Sequence, residues 1–135
     1  WVPGLPPERC KEAQAELKEA LKKHGRDLSE IELVREISVS LDKDREKAVT
    51  KYKSTPAYAH LVSLLRGWGK DPFSAEGALE RSLIGTVDDI TEGVQAFLDV
   101  NVKHFMLNFA VTTPAEFREA MAAFAREVMP SFLTK

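Results

Sequence analysis

Apolar positions recur along this chain in two rhythms, one of three to four residues and one of two. The first runs from about Pro7 to His24, where Cys10, Ala13, Leu17, Leu21 and His24 fall near one face of a predicted helix. Gly25 is its expected stop, because glycine takes up the left-handed conformation that a helix end requires. The rhythm of two takes over at 31–41. Leu33, Arg35, Ile37, Val39 and Leu41 share one mostly apolar face, and Val34, Glu36, Ser38 and Ser40 share a mostly polar one. That pattern predicts a strand. Ser38 and Ser40 are placed either to point into a polar interior or to hydrogen-bond locally.

Asp42 or Asp44 can cap a charged helix whose narrow contact stripe is Ala48, Val49 and Tyr52. Thr55-Pro56 opens another helix, with Tyr58, Leu61, Val62, Leu65 and Trp68 on a broad apolar face. Trp68 is expected in a core or an interface rather than stacked on a ligand. The stretch 69–82, with Asp71-Pro72 and Gly77, reads as a connection or a mobile lid. Thr86 and Asp89 form a short-armed capping box, followed by a stripe of Ile90, Val94, Phe97 and Leu98. A second strand is predicted over 102–109. Val102, His104, Met106 and Asn108 share one face, and Lys103, Phe105, Leu107 and Phe109 the other. Both faces carry apolar residues, as in a strand covered on both sides. Thr113, Pro114 and Glu116 start the last helix, Phe117, Ala120, Met121, Phe124 and Val128 form its stripe, and Pro130 stops it. Met121 is expected to fill core space.

The predicted order is helix, strand, one or two helices, strand, helix. This is an α/β fold with two parallel strands joined by a long helical crossover. Two strands alone are both edges, so they need a partner or belong to a larger sheet.

Composition narrows the function. At 135 residues the chain is one domain, far short of the roughly 250 residues of a complete eight-stranded α/β barrel. Cys10 is the only cysteine, which excludes an intrachain disulfide and a Cys-x-x-Cys metal site. Lys and Arg total 19 against 21 Asp and Glu, with no basic stripe to track phosphates, so no nucleic-acid partner is expected. No apolar run approaches the roughly 18 residues of a membrane span, and no signal segment opens the chain. No membrane partner is expected, and a cytoplasmic location follows by exclusion. The chain begins Trp1-Val2-Pro3-Gly4 rather than with Met, as a processed or excised piece does. His24, His60 and His104 lack metal-ligand spacing, so no metal is expected. Capping explains Asp88 and Asp89, and no complete catalytic set is assignable.

One stretch carries a family resemblance. Leu83-Ile84-Gly85-Thr86-Val87-Asp88-Asp89-Ile90 resembles the Ile-Gly-Thr-Pro-Glu-Glu-Val passage of bacterial-luciferase-like flavin oxidoreductases. The run from Phe97 to Phe109 resembles the family's next helix and its Ala-Gly-Val-Asp-His-Phe-Leu strand. Phe124-Ala125-Arg126-Glu127-Val128-Met129-Pro130 is similar to its final helix. Upstream, His24-Gly25-Arg26-Asp27 and the strand to Leu41 are similar to the preceding unit, and Trp1-Val2-Pro3 to a Gly-Trp-x-Pro passage without its glycine. Val87 replaces the usual proline, and Asn101 replaces the usual glycine, a change that tolerates left-handed geometry.

The resemblance implies a partial TIM-barrel-like fragment: the last two strands of the barrel with their flanking helices. It further implies a flavin- or deazaflavin-dependent oxidoreductase or monooxygenase as the parent, with FMN or coenzyme F420 as cofactor and a small-molecule substrate. The isolated chain is expected to be inactive. Barrel sites lie at the C-terminal ends of strands. On that geometry Ser40 and Asn108 are candidate cofactor contacts, with His104 deeper in its strand. The simpler roles are local hydrogen bonding for Ser40 and Asn108 and a buried structural imidazole for His104. The competing class is a noncatalytic module that self-associates to cover its strands.

Overall fold

A computed structural model describes residues 1–67 and 75–133 of the chain. The expectations for Trp68 and Asp71-Pro72 lie outside the described residues. Helix α1 spans Pro7–Lys23 and ends at Gly25, whose φ of +67° fulfils its expected role. After a short 3₁₀ turn, β1 runs Val34–Leu41, three residues later than its pattern suggested. Ile31 instead closes the 3₁₀ turn, its N–H donating to the Leu28 carbonyl. Helix α2 covers Arg45–Lys53, and Asp44 caps it by accepting from the Glu46 and Lys47 amides at 2.8 and 3.1 Å. Helices α3 (Pro56–Gly67) and α4 (Ala75–Glu80) follow.

The expectation of two strands requires a correction. Leu83–Gly85 is a strand, β2, and among the described residues the sheet has three strands in the order β2-β1-β3, with β3 at His104–Phe109. Three residues are too few to display a period, so β2 was hidden behind the capping box that follows it. β1 therefore lies in the centre rather than at an edge. It pairs in parallel with β3, Val34 opposite His104 through Val39 opposite Phe109, and in parallel with β2, Val39 opposite Leu83 through Leu41 opposite Gly85. Among the described residues the sheet is open and does not close into a barrel.

The chain start joins the same sheet. The Trp1 ammonium donates to the Glu32 carbonyl at 2.8 Å, and the Val34 N–H donates to the Trp1 carbonyl at 2.9 Å. Backbone groups of successive strand residues point to opposite edges. Val34 turns to Trp1, Val39 accepts from Ala110 beside β3, and Asp42 donates to Gly85 beside β2. Trp1 and β2 thus lie along one edge of β1, and β3 along the other.

Helices α5 (Val87–Asp99) and α6 (Pro114–Glu127) complete the fold, both with the expected capping boxes. Asn101, just past α5, adopts a φ of 64°, which accounts for the tolerance of Asn at a glycine position. The main core joins Cys10, Leu33, Ile37, Val39, Leu83, Ile90, Val94, Phe97, Phe124 and Val128. It lies against the odd-numbered face of β1. A smaller cluster of Ala48, Tyr52, Ile84 and Ala110 puts α2 over the C-terminal end of the opposite face.

Two burial expectations fail. β3 is covered on one face only: Phe105, Leu107 and Phe109 are half-buried, while His104, Met106 and Asn108 are exposed. Met121 is 41% exposed beside Phe117 at 40%, so α6 seats Phe124 and Val128 in the core and leaves its first half outward.

Candidate functional site

The uncovered face is built by alternation and register. Even-numbered residues of β1 and β3 point to one side, so Glu32, Val34, Glu36 and Ser38 stand beside His104, Met106 and Asn108. Two cross-strand pairs hold it. Asn108 Nδ2 donates to Glu36 Oε1 at 2.8 Å, and His104 Nδ1 lies 3.2 Å from Glu32 Oε1. Both pairs are exposed, so each contributes little to stability.

The three residues singled out from the sequence fall in different places. Ser40 is 2% exposed, and its hydroxyl donates to the Ala48 carbonyl at 2.8 Å, which ties α2 to the sheet. His104 stands at the first position of β3, exposed rather than buried as a structural histidine would be, away from the C-terminal strand ends. Asn108 is near the C-terminal end of β3 and borders a cavity of about 260 Å³ together with Arg35, Glu36, Ser38, Ala78, Arg81 and Ser82. The structure brings Asn108 to that cavity and leaves Ser40 and His104 outside its lining. Glu36 was the residue missed. A lone acid on a strand's polar face reads as solvated, and only the register of Ser38 with Asn108 brings it to the amide.

One of the residues lining the cavity is a buried cation. Arg35 is 5% exposed, on the covered face of β1. Its Nη1 donates to the Pro3 carbonyl and its Nη2 to the Arg81 carbonyl, both at 2.9 Å. The guanidinium carbon sits 5.2 Å from the centroid of the Phe97 ring, within cation–π range. Arg35 therefore staples the N-terminal segment to the approach to β2. Burial lowers its pKa from the ordinary arginine value, and its Nε is buried without a partner among the described residues. Nearby, burial raises the pKa of the Cys10 thiol, and the Arg35 charge partly opposes this.

The start of α5 closes the C-terminal end of β2. Asp89 accepts from the Thr86 N–H at 2.8 Å and from the Thr86 hydroxyl at 2.9 Å, and it pairs with Arg45. These bonds, the Thr86 amide first, hold the Asp89 carboxyl below its ordinary pKa. Gly85 has a φ of +146°, and a Cβ there would lie 2.7 Å from Asp89 Cβ. The helix N-terminus is thus filled by the chain's own carboxylate. Among the described residues no group of three His, Cys, Asp or Glu side chains is placed to hold a metal ion. No described helix is long and apolar enough to cross a membrane.

No family model matches the chain, and no curated protein does. Solved structures share its fold. The monooxygenase RslO1 of Streptomyces bottropensis superposes with a TM-score of 0.65 at 18% identity, covering 98% of this chain and 41% of its own. An F420-dependent secondary alcohol dehydrogenase, solved with an F420-acetone adduct, gives 0.66 at 18% identity, covering 98% and 40%. The coenzyme F420 dependent tetrahydromethanopterin reductase of Methanopyrus kandleri gives 0.57 at 19% identity, covering 95% and 43%. The chain spans about two fifths of the length of these proteins. At such identities the likeness establishes the fold alone.

Proposed function

We propose that this chain is the C-terminal portion of a flavin- or deazaflavin-dependent oxidoreductase or monooxygenase, and that it is inactive alone. One observation carries the reading. A parallel sheet packed by α5 and α6 on one face leaves on the other, short of the end that α2 covers, a polar wall bordering a cavity, as the inner wall of a barrel does. The fold shared with longer monooxygenase and F420-dependent proteins supports it.

The cofactor of such a parent is FMN or coenzyme F420, which supplies the electron-pair chemistry when bound. The residues present fit only part of it. A cavity of about 260 Å³ falls below the roughly 300–1,000 Å³ of pockets for whole drug-sized ligands, so it accommodates one edge of a ring system. The open wall carries Glu32 and Glu36, and Asp89 fills the α5 terminus, so neither the acids nor that helix end cradles a phosphate. Glu36, Ser38 and Asn108 orient the ring edge; the phosphate and the small-molecule substrate are held by the rest of the parent. Ser40 supports the wall by fixing α2, and His104 flanks it.

Titration of the isolated chain with FMN and with F420 tests this reading. Weak binding confined to the open wall, with no turnover, is the expected result. Tight binding elsewhere on the chain would overturn it. The second reading, a noncatalytic self-associating module, is favoured by the exposed Met106, Phe117 and Met121 around an open sheet. It predicts a stable assembly by native mass measurement and no flavin binding.

A further inference from the structure

We infer that the edge of β1 between Trp1 and β2 takes up a short stretch of extended peptide, main chain against main chain. The inference does not rest on the cofactor reading, because it concerns the backbone of Glu36 and Ser38 rather than their side chains. Even-numbered residues of β1 turn their backbone groups to this edge, as the bonds of Val34 to Trp1 and of Asp42 to Gly85 fix. The ladder is complete only at the two ends of the edge. Trp1 accepts from Val34 at one end, and β2 pairs from Val39 onward at the other. Four groups lie between: the Val34 carbonyl, the Glu36 N–H and carbonyl, and the Ser38 N–H. Among the described residues none of them has a backbone partner on this edge.

Two residues interrupt the ladder. A strand continuing from Trp1 would donate from its third residue to the Val34 carbonyl, and Pro3 has no N–H to give. In a continuous parallel ladder the Pro3 carbonyl would next accept from Glu36, and the Arg81 carbonyl, ahead of β2, from Ser38. Both carbonyls accept from the Arg35 guanidinium instead, at 2.9 Å each. The cavity of about 260 Å³ marks the gap, since Gly4, Glu36, Ile37, Ser38 and Ser82 are among its lining. That volume is below the size of a pocket for a whole drug-sized ligand and suits a few residues of backbone. Along the gap the groups run acceptor, donor, acceptor, donor. Extended peptide presents the same alternation and meets all four, which is how an added strand binds a sheet edge. Trp1 and β2 stand at the two ends, so the occupant is a short inserted stretch and not a full strand.

The test uses the full chain, isotope-labelled and followed by NMR at the backbone amides of Glu36 and Ser38. One probe is acetyl-triglycine N-methylamide, uncharged and with an N–H at every residue. The other is acetyl-trisarcosine dimethylamide, which keeps the carbonyls and has no N–H. In the free chain the Glu36 and Ser38 amides should exchange faster than that of Ile37, which points to β3. The triglycine probe, at millimolar concentration, should shift both amides and slow their exchange. The sarcosine probe should bind about tenfold more weakly, as the loss of two hydrogen bonds to the Val34 and Glu36 carbonyls implies. Slow exchange of both amides in the free chain would overturn the inference, because the edge would then be closed. Equal affinity for the two probes, shifts confined to other resonances, or no shift at all would overturn it too. None of these outcomes bears on the flavin reading, which the FMN and F420 titrations test separately.

Discussion

The two faces of the β1–β3 sheet have nearly the same backbone and opposite fates. On the odd face, Leu33, Ile37 and Val39 are each at most 3% exposed beneath α5 and α6, and even a charged residue, Arg35, is buried there. On the even face, Glu36, Met106 and Asn108 are exposed; α2 covers the C-terminal end, where it sits on Ser40, and Leu61 of α3 and Ala78 of α4 border the cavity beside Glu36 and Asn108. A side-chain period of two sends neighbours to different environments. The covered face therefore holds the stability of the domain. The open face is free to hold chemistry, because substitutions there disturb little of the packing.

The largest expected contrast comes from Phe97. Its ring packs edge-on to Phe105, 6.2 Å between centroids, and carries the Arg35 guanidinium. Phe97→Ala should cost about 3–5 kcal/mol, the usual loss for emptying an aromatic core site. Chemical denaturation measures it. A loss under about 1 kcal/mol would mean that the covered face is not the stabilising one.

Much of this division is legible in the sequence, and what escapes it has a physical reason. Helix ends were readable because their chemistry is local: Thr86 with Asp89, Thr113 with Glu116, and Asp44 each act within three residues. The alternation of β1 separated its apolar face from its polar one correctly. β3 misled, since Met106 on one face and Phe105, Leu107 and Phe109 on the other look like a strand buried twice. Exposure is a property of what packs there, and His104-Phe105-Met106 does not encode which helix arrives. The Glu36–Asn108 contact joins residues 72 positions apart, so no local rule exposes it.

Arg35→Met offers a sharper test, of intermediate size. It removes a buried charge, which by itself is often neutral or favourable. It also strands the Pro3 and Arg81 carbonyls, each now accepting at 2.9 Å, and a buried acceptor without a donor is costly. The net expectation is a loss of about 1–3 kcal/mol, with the N-terminal segment loosening first. Faster amide exchange at Val34, whose N–H donates to Trp1, would report that loosening. An unchanged Val34 exchange rate would show that the staple does not hold the segment. Because Arg35 and Phe97 touch, their losses should not add in the double variant.

The smallest expected effect separates a bare open face from one covered by a second copy. Met106 is 54% exposed on the open face. In the monomer, Met106→Glu should change stability by no more than about 0.5 kcal/mol, as surface substitutions do. A second copy seated on the face would bury that side chain and set it against Glu36 across the strand pair, so a new carboxylate there would dissociate the assembly. Native mass and melting temperature, read at two protein concentrations, distinguish the cases. A concentration-dependent melting temperature that Met106→Glu abolishes means self-association covers the wall. A concentration-independent value that the substitution leaves in place means the wall stands open, and the contrast between the two faces holds in solution.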